Sequence, residues 1–175
     1  MLGGLHIEKA ALGLPGELLK GCGWVEMISG SGVYKKGRAE SFLGVSDITR
    51  TRRAHQVTAA SLYRMLLNAY EPWHFEYTLE EWITKRTQES KQFHFWCIVL
   101  ELQLRIFTLV RSFREHSFDL YLSFLKSLTP WFFVLDRTHY KKDVASEHKR
   151  HGGTTNKAQI SVCCISKRLL HRSEN

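Results

Sequence analysis

The sequence has few cysteines, and its first residues do not follow the pattern of a secretory signal; both features bear on the class of protein expected. Its cysteines are Cys22, Cys97, Cys163 and Cys164, which follow no regular spacing. We therefore do not expect the disulfide framework of a small secreted domain. The first residues also lack the charged segment, apolar core and cleavage site of a secretory signal. We expect an intracellular protein with free thiols. A nuclear location is the more specific expectation if the protein binds nucleic acid.

Phosphate-binding loops and nucleophile motifs are missing as well. Neither Gly30 to Gly32 nor the Gly152-Gly153 pair leads into a Gly-Lys-Ser/Thr helix start, and no G-x-G-x-x-G occurs. Nucleotide hydrolysis is thus without support. The chain also has no G-x-S-x-G elbow, so a serine nucleophile has no specific motif behind it.

Nine histidines make zinc the first metal to consider. His148 and His151 lie three residues apart, and Cys163 and Cys164 follow. Adjacent cysteines rarely ligate one tetrahedral ion, and the usual two-residue gap between cysteines is missing. His6 and Glu8 match the H-x-E of zinc deaminases, but no P-C-x-x-C follows. We predict no metal site of this kind and no cofactor.

The basic excess lies mainly near the C-terminus. The net charge is +8, and residues 141–175 carry eight Lys or Arg against three acids, a net of +5. The first 140 residues carry seventeen against fourteen, a net of only +3. We predict a mainly α fold, with a single multi-helix domain over residues 1–140 and a disordered basic tail over residues 141–175.

The stretch Phe93 to Arg114 is the longest apolar run with helical periodicity. Its apolar residues recur every three or four positions, as on one stripe of a helix. Glu101, Gln103 and Arg105 lie at its middle, and central charges make lipid a poor solvent for it. We predict a buried core helix and no membrane partner.

Capping residues and prolines set the other predicted boundaries. Pro15 predicts a break or kink near Leu14, and Pro130 predicts a break late in the chain. The predicted helices are Thr49 to Tyr70, capped by Ser46 or Asp47; Leu79 to Gln88, opened by a Thr78/Glu81 capping box; and Phe118 to Leu128, capped by Ser117. For the Thr49 helix, the predicted inward face is Val57, Ala60, Leu62, Met65, Leu66 and Ala69.

Basic side chains between positions 35 and 55 give the best physical case for a function. The candidates for binding nucleic acid are Lys35, Lys36, Arg38, Arg50, Arg52 and Arg53. They fall in a loop and at a helix start, where phosphate can meet side chains and backbone amides together. Such binding would be independent of nucleotide sequence and sensitive to salt. The alternative is a solvated face, with Arg52 or Arg53 paired to Glu40 or Asp47.

Three acids form the candidate set for metal-dependent phosphoryl chemistry. Glu8, Asp47 and Asp136 each lie near the end of an apolar or capping segment, and a magnesium or manganese site needs such carboxylates to converge. The simpler interpretation is favoured: Glu8 as a first-turn acid, Asp47 as a helix cap, and Asp136 as a partner of a neighbouring basic residue.

Several segments resemble a multi-copy, transposable-element-like family of animal genomes. The matching stretches are Gly3 to Glu8, Gly21 to Trp24, Gly37 to Leu43, Thr49 to Leu62, Leu100 to Arg114 and Pro130 to Tyr140. The arginine-rich block through His55 and Gln56 is the most specific. The resemblance implies the interior of a larger, transposase-like protein with an RNase H-like core, and it assigns no catalytic residue to this chain.

The chain also departs from that family in ways that suggest a truncated copy. The family has a long region upstream of the Gly3 segment, and after Tyr140 it continues with an apolar stretch instead of Lys141 and its hydrophilic successors. We therefore expect a non-catalytic, transposable-element-derived remnant that binds nucleic acid weakly. The alternatives are a metal-dependent nuclease or transposase fragment and a helical protein-interaction module.

Overall fold

The computed structural model describes residues 4–135, and all regular structure in that range is helical. The helices are α1 (Gly4–Leu19), α2 (Trp24–Gly30), α3 (Lys36–Leu43), α4 (Ile48–Tyr70), α5 (Leu79–Glu89), α6 (Lys91–Arg114) and α7 (Phe118–Val134), with a 3-10 turn at Glu71–Trp73. The mainly α prediction is confirmed. The predicted tail, residues 141–175, lies outside the described residues.

Local capping chemistry sets several helix starts as predicted. The Asp47 side chain accepts a hydrogen bond from the backbone N–H of Arg50 at 3.0 Å and opens α4. Thr78 and Glu81 form a reciprocal capping box at the start of α5. The Ser117 side chain accepts a hydrogen bond from the backbone N–H of Leu120 at 3.3 Å and caps α7. Each of these side chains satisfies backbone groups that the first helical turn leaves without partners.

The break predicted at Pro130 is wrong, and the break or kink predicted near Leu14 is not a break. Helix α1 continues through Pro15, and α7 continues through Pro130. A proline inside a helix loses one backbone hydrogen bond and crowds the preceding turn, at a cost of about 3 kcal/mol. Leu14 is fully buried, and so is Leu128, while Trp131 is 5% exposed. Burial of the residues next to both prolines offsets that local cost. A prediction from local sequence does not include this tertiary burial.

Helix α6 occupies the predicted stretch but is less enclosed than predicted. Leu102, Ile106 and Leu109 are at most 1% exposed, whereas Leu104 is 48% exposed. Only 39% of the most apolar part of α6 is buried. Within residues 4–135, α6 is the one helix long and apolar enough to cross a membrane, by length and composition alone. The core helix of a soluble protein passes the same test, so α6 is best described as buried along one stripe.

The chain divides into two compact units, of which the second comprises residues 18–104. Helix α2 packs against α3, and α3 against the start of α4. Their shared core contains Leu19, Trp24, Val25, Ile28, Ala39, Phe42, Ala54 and Val99. Because α3 contributes Ala39 and Phe42 to this core, its charged residues are left on the outside.

The first unit comprises residues 1–17 and 105–175, of which 4–17 and 105–135 are described. Gly4 lies against the Phe113 ring, since a Cβ at Gly4 would be 2.9 Å from Phe113 Cζ. The Phe113 ring in turn contacts Tyr121 on α7, with centroids 6.0 Å apart. The buried side chains of α7 include Phe124 and Leu125. These contacts bring α1, the end of α6 and α7 together within this unit.

Candidate nucleic-acid interface

The predicted basic residues lie on two neighbouring helices of the second unit. Lys35 is the N-cap residue of α3, and Lys36 and Arg38 follow within that helix. The arginines at 50, 52 and 53 fall in the first two turns of α4. Since α3 packs against α4, the fold brings the two groups onto adjacent elements, although whether nucleic acid binds there stays a prediction.

Two of these cations have acidic neighbours at the surface. Lys36 Nζ lies 4.0 Å from Glu26 Oε1, and Arg50 Nε lies 3.4 Å from Asp47 Oδ2. All four side chains are well exposed, between 38% and 67%. Exposed ion pairs contribute roughly 0 to 1 kcal/mol. Both cations can therefore exchange these partners for phosphate at little cost.

Helical spacing separates the arginines of α4 into two groups. Arg50, Arg53 and Arg64 fall within about 60° of one another on a helix of 3.6 residues per turn, and all three are exposed. Arg52 falls on the opposite side by the same count and is half-buried. Sequence reasoning missed Arg64, although its spacing of fourteen residues from Arg50 is the signal that could have found it.

We define the basic surface as the exposed cations of α3 and of the α4 arginine stripe. Its members are Lys35, Lys36, Arg38, Arg50, Arg53 and Arg64. The α4 part spans fourteen residues from Arg50 to Arg64, or about 21 Å at 1.5 Å per residue. The positive end of the α4 dipole lies beside Arg50 and adds to the attraction for anions.

The three candidate catalytic acids lie in three different parts of the chain. Glu8 is buried on α1, at 4% exposure, and belongs to the first unit. Asp47 belongs to the second unit and caps α4. Asp136 lies outside the described residues. Within residues 4–135, no group of three His, Cys, Asp or Glu side chains is placed to hold a metal ion.

Substitution of Asp47 separates its capping role from any catalytic one. Asparagine caps a helix about as well as aspartate, whereas alanine costs about 1 kcal/mol. We expect Asp47→Asn to unfold at the wild-type urea midpoint and Asp47→Ala at a lower one, measured by circular dichroism. Equal destabilisation by both variants would contradict the capping role. Magnesium-dependent DNA cleavage that disappears in the stable Asp47→Asn protein would favour the nuclease alternative.

The cysteines in the described range do not provide an activated thiol. Burial, with a smaller contribution from the charge of Glu101, raises the pKa of the Cys97 thiol to about 11. Burial is also the main cause of the raised pKa of Cys22, whose Sγ donates to the Leu19 carbonyl at 3.3 Å. Since the thiolate is the nucleophile and the metal ligand, both thiols remain protonated and unreactive near neutral pH.

A buried polar cluster, which sequence reasoning missed, lies beneath the basic surface residues of α4. The indole Nε1 of Trp24 donates to Thr58 Oγ1 at 3.0 Å. The Trp24 ring stacks on His55, with centroids 5.7 Å apart and planes 17° from parallel. Gln103 Nε2 lies 3.0 Å from His55 Nδ1. This cluster joins α2, α4 and α6 within the second unit.

Burial controls the charge of His55. The side chain is 1% exposed, and desolvation lowers its pKa from 6.5 to about 4. His55 is therefore neutral at pH 7, and it can accept from the Gln103 amide at Nδ1 only if Nε2 carries the proton. Among the described residues, His55 Nε2 and Gln103 Oε1 have no hydrogen-bond partner. The cluster is structural and lies too deep to contact a polyanion.

Compared with protein families, curated proteins and solved structures, the chain matches none. The resemblance to a transposable-element-like family therefore stays a prediction.

Proposed function

We propose that this protein is a non-catalytic, transposable-element-derived remnant that binds nucleic acid weakly and without sequence preference. The observation that carries the proposal is the basic surface: six exposed cations on two packed helices. Its acidic neighbours, Glu26 and Asp47, form only exposed pairs with it. The mechanism is release of counterions from the phosphate backbone, which needs positive charge but no base-reading geometry.

The local electrostatics support phosphate as the ligand. Helices α3 and α4 both begin next to basic residues, and helix N-termini carry partial positive charge with backbone N–H groups directed outward. Asp47 offsets part of this charge at α4, because its side chain accepts from the Arg50 N–H. The remaining cations extend away from that cap along the exposed side of α4, where Arg53 and Arg64 lie.

A salt titration tests the proposal. We expect the affinity of the full chain for a fluorescently labelled DNA duplex, measured by anisotropy, to fall steeply and linearly in log–log form as KCl rises. The slope is about 0.9 for each phosphate contacted. The double variant Arg53→Gln/Arg64→Gln should reduce the slope by roughly 2 units and weaken binding at low salt, because two phosphate contacts are lost.

The matched control removes the same charge from the first unit. Lys9 and Arg114 are both exposed there, so Lys9→Gln/Arg114→Gln should leave the slope unchanged. Equal slopes for the two double variants would place the binding elsewhere on the chain. Affinity that is insensitive to salt would contradict the electrostatic mechanism itself.

A helical protein-interaction module is the second candidate, and exposed apolar side chains favour it. Phe75 is 90% exposed, Met65 is 66% exposed and Leu5 is 62% exposed. They lie on a loop, on α4 and on α1 respectively, so they do not form a run in sequence. This candidate predicts that the charge-neutral change Met65→Ser leaves DNA binding intact while abolishing capture of a protein partner, whereas the nucleic-acid proposal requires no such partner.

A further inference from the structure

Aromatic side chains line a small pocket at the junction between α4 and α5. Trp73, Tyr77 and Trp82 form its aromatic walls, in a pocket of about 110 Å³. Lys85, Arg86 and Glu89 complete the lining. Trp82 is buried, Tyr77 is half-buried and Trp73 is 40% exposed, so the aromatic surface extends from the interior to solvent.

Ring contacts fix the orientation of these walls. The Trp73 and Tyr77 rings have centroids 6.4 Å apart and planes inclined by 48°. Trp82 is held from behind by an edge-to-face contact with Phe93, at 5.4 Å, and by a tilted contact with Tyr70, at 5.7 Å. The Tyr70 hydroxyl also donates to the Tyr77 carbonyl at 2.6 Å. The walls are thus set before any ligand arrives, which lowers the entropic cost of binding.

A cation already occupies one aromatic face of the pocket. Lys85 Nζ lies 4.7 Å from the centroid of the Tyr77 ring and donates to the Tyr77 hydroxyl at 3.0 Å. That hydrogen bond is the main cause of a raised pKa for Lys85, and the charges of Glu89 and Glu76 add to it. The surroundings of Tyr77 therefore favour positive charge.

The net charge of residues 71–90, the segment that contains the pocket, also favours a cationic ligand. Residues 71–90 carry five glutamates, namely Glu71, Glu76, Glu80, Glu81 and Glu89, against only Lys85 and Arg86. Arg86 is paired with Glu89, with Nη1 at 2.8 Å from Oε2. The segment thus has a net charge of −3, although the pocket lining itself contains Lys85 and Arg86 beside Glu89; with Arg86 paired to Glu89, the surrounding segment disfavours phosphate, in contrast to the basic surface.

Size selects among cationic and neutral ligands. The pocket of about 110 Å³ is smaller than a cavity of about 150 Å³ that encloses benzene, so it encloses a small head group better than a nucleobase. A trimethylammonium head has fewer heavy atoms than benzene. Aromatic walls beside a carboxylate are the arrangement that recognises quaternary ammonium groups and methylated lysine.

We propose that Trp73, Tyr77 and Trp82 form an aromatic cage for a methylated ammonium group, carried as trimethyllysine on a basic peptide. Glu76 and Glu89, which act on Lys85 beside the cage, and the net negative charge of residues 71–90 attract the basic residues flanking such a lysine and repel the phosphate of a choline lipid. Lys85 acts as an internal competitor, because its ammonium group lies on the Tyr77 face that the ligand would use.

The test uses the full chain, calorimetric titration and no nucleic acid, so its outcome is independent of DNA binding. The probes are a lysine-rich peptide with one trimethyllysine, the same peptide with a neutral tert-butyl isostere, and phosphatidylcholine vesicles. We expect the trimethyllysine peptide to bind about fivefold more tightly than its isostere, the size of a cation–π contribution at a partly exposed site. Vesicles should bind more weakly than either peptide.

Three variants complete the experiment. Trp73→Leu should weaken trimethyllysine binding about fivefold, whereas Lys85→Met should strengthen it, a gain that an unfolded protein cannot show. Phe75→Leu is the matched control, since Phe75 lies in the same loop, is 90% exposed and does not line the pocket. Equal binding of the charged and neutral peptides, preference for the vesicles, or equal losses in Trp73→Leu and Phe75→Leu would overturn the proposal.

Discussion

Replacing Trp24 by alanine should lower the free energy of unfolding by about 4 kcal/mol, the largest effect expected of any single substitution in the second unit. Trp24 is fully buried in the core that α2, α3 and α4 share. Its removal leaves a cavity, leaves the Thr58 hydroxyl without its donor and takes away the ring that stacks on His55. Urea denaturation followed by far-ultraviolet circular dichroism measures the change.

A double-mutant cycle separates the hydrogen bond of Trp24 from its packing. Trp24→Phe removes the indole N–H while keeping an aromatic ring, and Thr58→Val removes the acceptor while keeping the shape of the side chain. An unsatisfied buried donor or acceptor costs about 1 to 3 kcal/mol, so the double variant should be less destabilised than the sum of the two single variants. Strict additivity would mean that the 3.0 Å contact between Trp24 Nε1 and Thr58 Oγ1 contributes nothing to stability.

The helix starts at Asp47, Thr78 and Ser117 could be predicted because capping is local. Each cap accepts a hydrogen bond from an N–H three residues ahead, so a short sequence window contains both partners. The continuity of α1 and α7 through Pro15 and Pro130 could not be predicted in this way. Its compensation comes from tertiary burial, which a local window does not contain.

The inward face of α4 also could not be predicted from local sequence. Hydropathy predicted that Met65 would face the core, yet it is 66% exposed. The buried residues of α4 include Thr51, His55 and Thr58, which an apolar pattern assigns to solvent. Thr58 bonds to a residue 34 positions away, and His55 to one 48 positions away. Polar residues become core residues only when such distant partners satisfy them.

The basic residues of the candidate interface could be predicted from the sequence, but not which of them face solvent. The cluster of cations between Lys35 and Arg53 is visible in the sequence. Which arginines of α4 face solvent depends on the buried face of the helix, and that face was mispredicted. With the observed face, Arg52 becomes half-buried and Arg64 joins the exposed stripe. The proposed aromatic cage could not be predicted from a local window, because its walls come both from residues 73–77 and from Trp82 on α5.

Acidification should destabilise the second unit through His55, with most of the loss between pH 6.5 and pH 4. Burial lowers the pKa of His55 in the folded protein to about 4, against 6.5 for an unperturbed side chain. Between these values the unfolded chain binds a proton that the folded chain does not, so stability falls as the pH falls. The shift corresponds to a loss of about 3 kcal/mol at 1.36 kcal/mol per pKa unit, and below pH 4 this group adds no further loss.

The variant His55→Gln isolates that contribution, because its amide retains hydrogen-bonding capacity toward Gln103 but does not titrate. Carboxylates also titrate near pH 4, but they do so in both proteins, so the difference between the two pH profiles of unfolding free energy belongs to His55. We expect wild type to lose about 3 kcal/mol more than His55→Gln on going from pH 7 to pH 4. Parallel profiles would contradict the prediction. They would mean that His55 is solvated in the folded state, in conflict with its stacking on Trp24 and its 1% exposure. Diverging profiles would show that the stability of the helices carrying the basic surface depends on pH through His55, the one buried histidine among the described residues.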